Sequence, residues 1–275
     1  MLNGPGLSWY EVIDWVCIAL VCLLLLARTW PFVERRSPAA RWTARLWGRP
    51  WSRQVFWILL GTGLLFIVAV DVIERSPAEL LPHADLVVRD VARRAASHPM
   101  IRRTASTLTD LTGPGLVTAT LGSVLCLFVL GHRRQAWVVL LGTTGAWMFS
   151  GWLKLVFAVP RPRPVAGLGF PSGHVLVTLV AGGLLAWALT PHVSPGTRRA
   201  LYGGAGGMAI LAGAARMIMD AHWLSDVVAG LASGALWLNL VILLVSRDTL
   251  PTSGSRGVGD FAMNAEMPSR GSPDG

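Results

Sequence analysis

Charge is scarce in this chain, and one form of it is almost missing. Charged residues make up 14% of the 275, whereas about 25% is usual in a soluble domain. Hydrophobic residues reach 53%, and mean hydropathy is +0.53. This balance excludes an ordinary soluble domain. Lysine is reduced to a single residue, Lys154, among 24 basic side chains. Tyrosine occurs twice and cysteine three times. Cys17, Cys22 and Cys126 all fall in apolar runs with no C-x-x-C pair, so they read as small core residues. A basic leader is missing too. The first apolar stretch opens with Glu11 and Asp14 and has no small-residue cleavage site, so it reads as a retained helix rather than a signal peptide. No soluble basic region stands apart from the apolar runs, so the net charge of +9 does not point to nucleic acid. No repeat of fixed period is present.

Long hydrophobic runs are what the chain does have. A membrane span needs about 20 mainly apolar residues, and runs of that kind lie near 10–30, 54–73, 114–131, 136–158, 173–190, 200–218 and 224–246. Thirteen tryptophans suit the two lipid–water boundaries of such a bundle. The expected fold is all-α, a polytopic membrane helix bundle of about seven spans, with a six-helix core and one extra N-terminal helix. Residues 1–53 would hold that helix and a basic loop, 54–250 the core, and 251–275 a disordered tail rich in Gly, Ser and Pro. Arginines at 35, 36, 41, 45, 49 and 53, at 133 and 134, and at 198 and 199 all become cytoplasmic if the N-terminus is outside and the C-terminus inside. Residues 74–113 resist this rule, with six arginines expected outside; their amphipathic pattern predicts an outer segment lying along the interface. Gly203/Gly207 and Gly230/Gly234 have the spacing that lets membrane helices approach closely.

In this topology three polar clusters emerge at one side of the membrane. Lys154 lies inside an apolar run and is followed, after six residues, by Arg161-Pro162. Pro171-Ser172-Gly173-His174 opens the fifth span, and Arg216, His222 and Asp226 join the sixth span to the seventh. A charge inside a membrane helix costs about 2.5–3.5 kcal/mol on insertion scales, so Lys154 needs a reason to be there. Snorkelling to the interface is the ordinary reason; convergence with the other clusters favours an anion site. Lys154, Arg161 and Arg216 can neutralise the oxygens of a transferring phosphoryl group. Ser172 and Gly173 precede a helix whose free N–H groups favour an anion. His222 and Asp226, four apart, share a helix face, so the carboxylate can hold one ring nitrogen protonated and leave the other as a nucleophile. His174 remains as acid for the leaving oxygen and later as base for water. A metal held by the two histidines and Asp226 would be repelled by the surrounding cations. Neither a metal nor a cofactor is expected.

The three clusters resemble the signature of the type 2 phosphatidic acid phosphatase superfamily, integral-membrane phosphatases that share a catalytic core with vanadium-dependent haloperoxidases. KLVFAVPRP, PSGH and ARMIMDAHWLSD match its three motifs in order and spacing, over a resemblance covering roughly residues 54–246. Ala215 stands where the family has a serine. The resemblance implies that His222 becomes phosphorylated, that Asp226 orients it and that His174 serves the leaving group. It implies too that Lys154, Arg161, Ser172, Gly173 and Arg216 bind phosphate.

The expected function is hydrolysis of a lipid phosphate or diphosphate, such as a polyprenyl diphosphate, phosphatidic acid or phosphatidylglycerophosphate, at the outer face of the plasma membrane. The partners are the bilayer and its phosphorylated lipid. A phosphotransferase using the same phosphohistidine is the nearest rival. A non-enzymatic transporter or scaffold would instead scatter polar residues through the midplane. Arg163 reads as a headgroup contact, His83, His98, His132 and His192 as surface histidines in loops, and Asp220 as a neighbour of Arg216.

Overall fold

A computed structural model describes residues 51–74, 80–163 and 167–247. The expected first span near 10–30 and the expected tail 251–275 lie outside the described residues. Within them the chain is helical, with no β-strand and one isolated bridge between Pro160 and Leu168. The helices are α1 (Ser52–Glu74), α2 (Leu80–Ala96), α3 (Pro99–Thr112), α4 (Pro114–Val129), α5 (Arg133–Phe157), α6 (Gly173–Leu189), α7 (Pro195–Ile218) and α8 (Leu224–Arg247), with a short 3₁₀ turn at Thr190–His192. Six segments of this set are long and apolar enough to cross a membrane, one of them the combined Pro99–Val129. The protein is a polytopic, all-α membrane bundle.

Helix ends follow local chemistry. α7 begins five residues ahead of the run expected near 200, because Ser194 caps it and Pro195 occupies its first turn. The Ser194 hydroxyl accepts from the Thr197 N–H at 3.2 Å. α5 stops at Ala158, whose left-handed backbone (φ 49°) donates its N–H to the Lys154 carbonyl at 2.9 Å. Lys154 therefore occupies the last turn of α5, where the helix dipole favours a cation.

α6 is apolar around its whole circumference and sits at the centre, packed by α5, α7 and α8. Its Val175, Leu176, Val180, Ala181 and Leu184 are wholly buried. Lipid tails are as apolar as leucine, so close packing rather than water exclusion holds such helices together. Gly230 and Gly234 supply it on α8: a Cβ on Gly230 would lie 2.8 Å from the Ser172 carbonyl oxygen and 3.0 Å from the Val175 Cβ. Gly203 and Gly207 meet nothing within 4 Å, so that second glycine pair packs no neighbouring helix among the described residues. Trp237 Nε1 of α8 also donates to the Gly142 carbonyl of α5 at 2.9 Å.

Residues 80–112 form two helices, and α2 packs on α7 and α8. The chain bends between α3 and α4 at Gly113, followed by Pro114. A Cβ on Gly113 would come within 3.2 Å of His174 Nε2, so the bend brings bare backbone over that ring.

Candidate active site

Three chain segments, far apart in sequence, meet at one end of the bundle. The last turn of α5 and the loop after it contribute Lys154 and Arg161. Lys154 Nζ and Arg161 Nε both point to the Leu168 carbonyl, each at 3.4 Å, a weak contact that leaves their donors available. The start of α6 contributes Ser172, Gly173 and His174. A Cβ on Gly173 would lie 2.9 Å from Ser150 Oγ, so α6 begins in close contact with α5. The α7–α8 junction contributes Arg216, His222 and Asp226.

Asp226 organises that junction. It lies in the first turn of α8 and its Oδ2 reaches back to accept from the Trp223 N–H at 3.0 Å, the reciprocal half of a capping box. The same oxygen lies 3.0 Å from His222 Nδ1, and both side chains are buried. A carboxylate only accepts, so Nδ1 is the donor and Nε2 keeps its lone pair. Burial drives the His222 ring below the ordinary histidine value, against the opposing pull of Asp226, so the neutral form is favoured. The Asp226 carbonyl accepts from the Ser172 N–H at 2.9 Å, which locks the start of α6 to the start of α8.

Lys154, Arg161, Gly173, His174, Arg216 and His222 line a single cavity of about 910 Å³. Several buried polar atoms around it have no hydrogen-bond partner among the described residues, notably Ser172 Oγ and Arg216 Nε. Each such atom costs about 1–3 kcal/mol when it stays unsatisfied. An oxyanion seated among these donors and the three cations would satisfy them. From this polar end the cavity runs on between α4 and α5, along Leu116, Leu121, Trp147, Met148, Trp152 and Leu155. All but Leu116 of these are exposed on the apolar flank of the bundle.

Residues 135–250 match the family model of the PAP2 superfamily, and they hold every one of these motif residues. The region 135–250 belongs to this superfamily. The PAP2 fold recurs in the crystal structure of a transmembrane PAP2 type phosphatidylglycerolphosphate phosphatase from Bacillus subtilis. The match has a TM-score of 0.64 at 20% identity and covers 72% of this chain and 99% of that one. An uncharacterized 22.5 kDa protein in the cps region of Klebsiella pneumoniae is 29% identical over 143 residues, 50% of this chain and 68% of that protein. The position where the PAP2 motif resembled above has serine is here Ala215, buried in the bundle.

The structure corrects several minor readings. Asp220 pairs with Arg89 and Arg93 of α2 and not with Arg216. His83 lies within α2 and not in a loop, whereas His132 and His192 do lie in turns, their rings 4.8 Å apart at the other end of the bundle. Neither Gly113 nor Asp85 carries a signal in the sequence, and Arg89 stands there only as one of the six arginines of 74–113. Contacts across such separations leave no local pattern, although the arginines of 80–112, out of place under the charge rule, marked the region.

Proposed function

We propose that this PAP2 protein is a membrane phosphatase that hydrolyses a lipid phosphate or diphosphate at the outer face through a phosphohistidine. The observation that carries the reading is the shape of the cavity: a cationic end beside His222, continuous with an apolar groove that opens on the lipid-facing flank. A lipid phosphate has the same two-part character. Its phosphoryl group would sit among Lys154, Arg161 and Arg216, with the Ser172 hydroxyl and the first N–H groups of α6 completing the cradle. Its tail would follow the groove between α4 and α5.

His222 Nε2 attacks phosphorus while Asp226 holds the Nδ1 proton and balances the cation that forms. His174 protonates the departing lipid oxygen, then accepts a proton from the water that releases phosphate. The cations supply the charge neutralisation that a metal gives elsewhere, and they oppose a divalent ion at the two histidines. Phosphatidylglycerophosphate, phosphatidic acid and polyprenyl diphosphates all fit this description.

The test is phosphate release by purified, detergent-solubilised protein from a panel of lipid mono- and diphosphates, with and without EDTA and vanadate. We expect release from at least one lipid, insensitivity to EDTA and inhibition by vanadate. Loss in EDTA with recovery only on adding zinc or magnesium would sink the mechanism. Transfer of the label to an added alcohol in place of water would make the protein a phosphotransferase.

A further inference from the structure

α2 lies outside the residues matched by the family model, yet its side chains reach into both loops that carry the site. Arg89 donates from Nε to Asp220 Oδ1 at 2.8 Å and from Nη2 to Asp220 Oδ2 at 3.2 Å, a two-pronged grip on one carboxylate. The same Nη2 donates to the Pro162 carbonyl at 2.7 Å, beside Arg161. Its guanidinium lies 4.9 Å from the ring centre of Trp223, next to His222. One turn earlier on α2, the buried Asp85 takes the Ser225 N–H at 2.8 Å and the Ser225 hydroxyl at 2.7 Å. Asp85 thus satisfies an N–H of the first turn of α8 from a different helix, at the residue before Asp226.

Asp220 shows why this grip matters. α7 ends with the Asp220 N–H on the Met217 carbonyl and the Ala221 N–H on the Arg216 carbonyl, each at 2.9 Å, and this places Asp220 at the left-handed position of a Schellman turn. Its φ is 53°, a conformation in which glycine is the default and a side chain is strained. That turn sets the direction of the chain between Arg216 and His222. An aspartate there, held by Arg89, trades free backbone for an anchor on another helix. The Arg89 hydrogen bonds also hold the Asp220 carboxyl below the usual carboxylate range, so the anchor stays charged at neutral pH.

We propose that Arg89 and Asp85 are positioning residues, and that α2 staples the Arg161 loop to the His222 loop so that phosphate-binding groups and nucleophile keep one geometry. The proposal rests on the phosphatase reading for its kinetic arm only. Hydrogen exchange of protein in lipid nanodiscs provides an arm that needs no activity. Arg89→Ala should raise exchange of the amides of 219–226 at least tenfold and leave the centre of α6 unchanged. Asp85→Asn should do the same for the first turn of α8.

In the kinetic arm, Arg89→Ala should lower kcat at least tenfold with a smaller change in KM, and Arg89→Lys should fall between it and wild type. Asp220→Gly, which tolerates the left-handed turn, should keep more activity than Asp220→Ala. The Arg89→Ala/Asp220→Ala double variant should be no worse than the poorer single one. Unchanged exchange at 219–226, or single-variant losses that simply multiply, would overturn the staple. If Arg89→Ala does not fold, Arg89→Lys carries the same two readouts against the same outcomes. An inactive wild type would refute the phosphatase reading, while the exchange arm would still decide the staple.

Discussion

Replacing Asp226 by Asn tests the chemistry at its most exposed assumption, that a buried carboxylate sustains the nucleophile. The Asp226 Oδ2 lies 3.0 Å from His222 Nδ1 and 3.0 Å from the Trp223 N–H. Asn keeps the volume and can keep both contacts through its amide oxygen, so the fold should lose only about 1 kcal/mol. The charge is what disappears. Attack by Nε2 leaves a positive phosphohistidine, and a full cation 3.0 Å from a carboxylate is stabilised by about 5.5 kcal/mol at an effective dielectric of about 20. With roughly half the charge developed in the transition state, the loss is about 3 kcal/mol, or about 100-fold in rate. An amide turned to present its NH₂ would do worse, since it would force the proton onto Nε2 and remove the nucleophile. In a serine protease the corresponding change behind the histidine costs about 10⁴-fold. Rapid-quench measurement of the phosphoenzyme burst is the assay, with thermal unfolding in detergent as the control for folding. A well-folded Asp226→Asn protein whose burst stays within about threefold of wild type would refute the role given to Asp226.

Two further predictions follow from the same geometry. His174→Ala should slow phosphoenzyme formation from a lipid monoester by about 100-fold or more, yet slow it far less with an aryl phosphate, whose oxygen leaves without a proton. It should then accumulate phosphohistidine; labelling of His222→Ala in place of His174→Ala would exchange the two assignments. The second concerns pH. Burial lowers the His222 value, so its neutral, nucleophilic form persists as pH falls through the ordinary histidine value of about 6.5 and is lost only below it. With an aryl phosphate, which does not need His174 as acid, the acid limb of kcat/KM should therefore fall below about 6.5; a limb at or above that value would contradict the burial argument.

The six spans of the described residues were legible as apolar runs because a helix in lipid must be apolar over its own length, whatever its neighbours. The start of α7 was misplaced by five residues because the Gly-rich opening hid a helix whose true signals were Ser194 and Pro195. The motif residues were legible for a chemical reason. Lys154 is an isolated cation in an apolar run, and His222 and Asp226 have a one-turn spacing that a helix turns into contact. That these residues line one cavity is a property of packing: Gly173 and Gly230 let α5, α6 and α8 approach until the backbone at Ser172 meets that of Asp226.

The amino-acid sequence by itself determined the class of the protein, the apolar spans from Ser52 onward and the three motifs that line the cavity, since each depends on composition or on spacing within a turn or two. Only the tertiary structure decided what holds those residues in place. Asp220 is 131 positions from Arg89, and Asp85 is 140 from Ser225. Asp220 meets its arginine partner only once α2 has docked against α7 and α8, and no local pattern encodes a contact that two distant helices make by folding together.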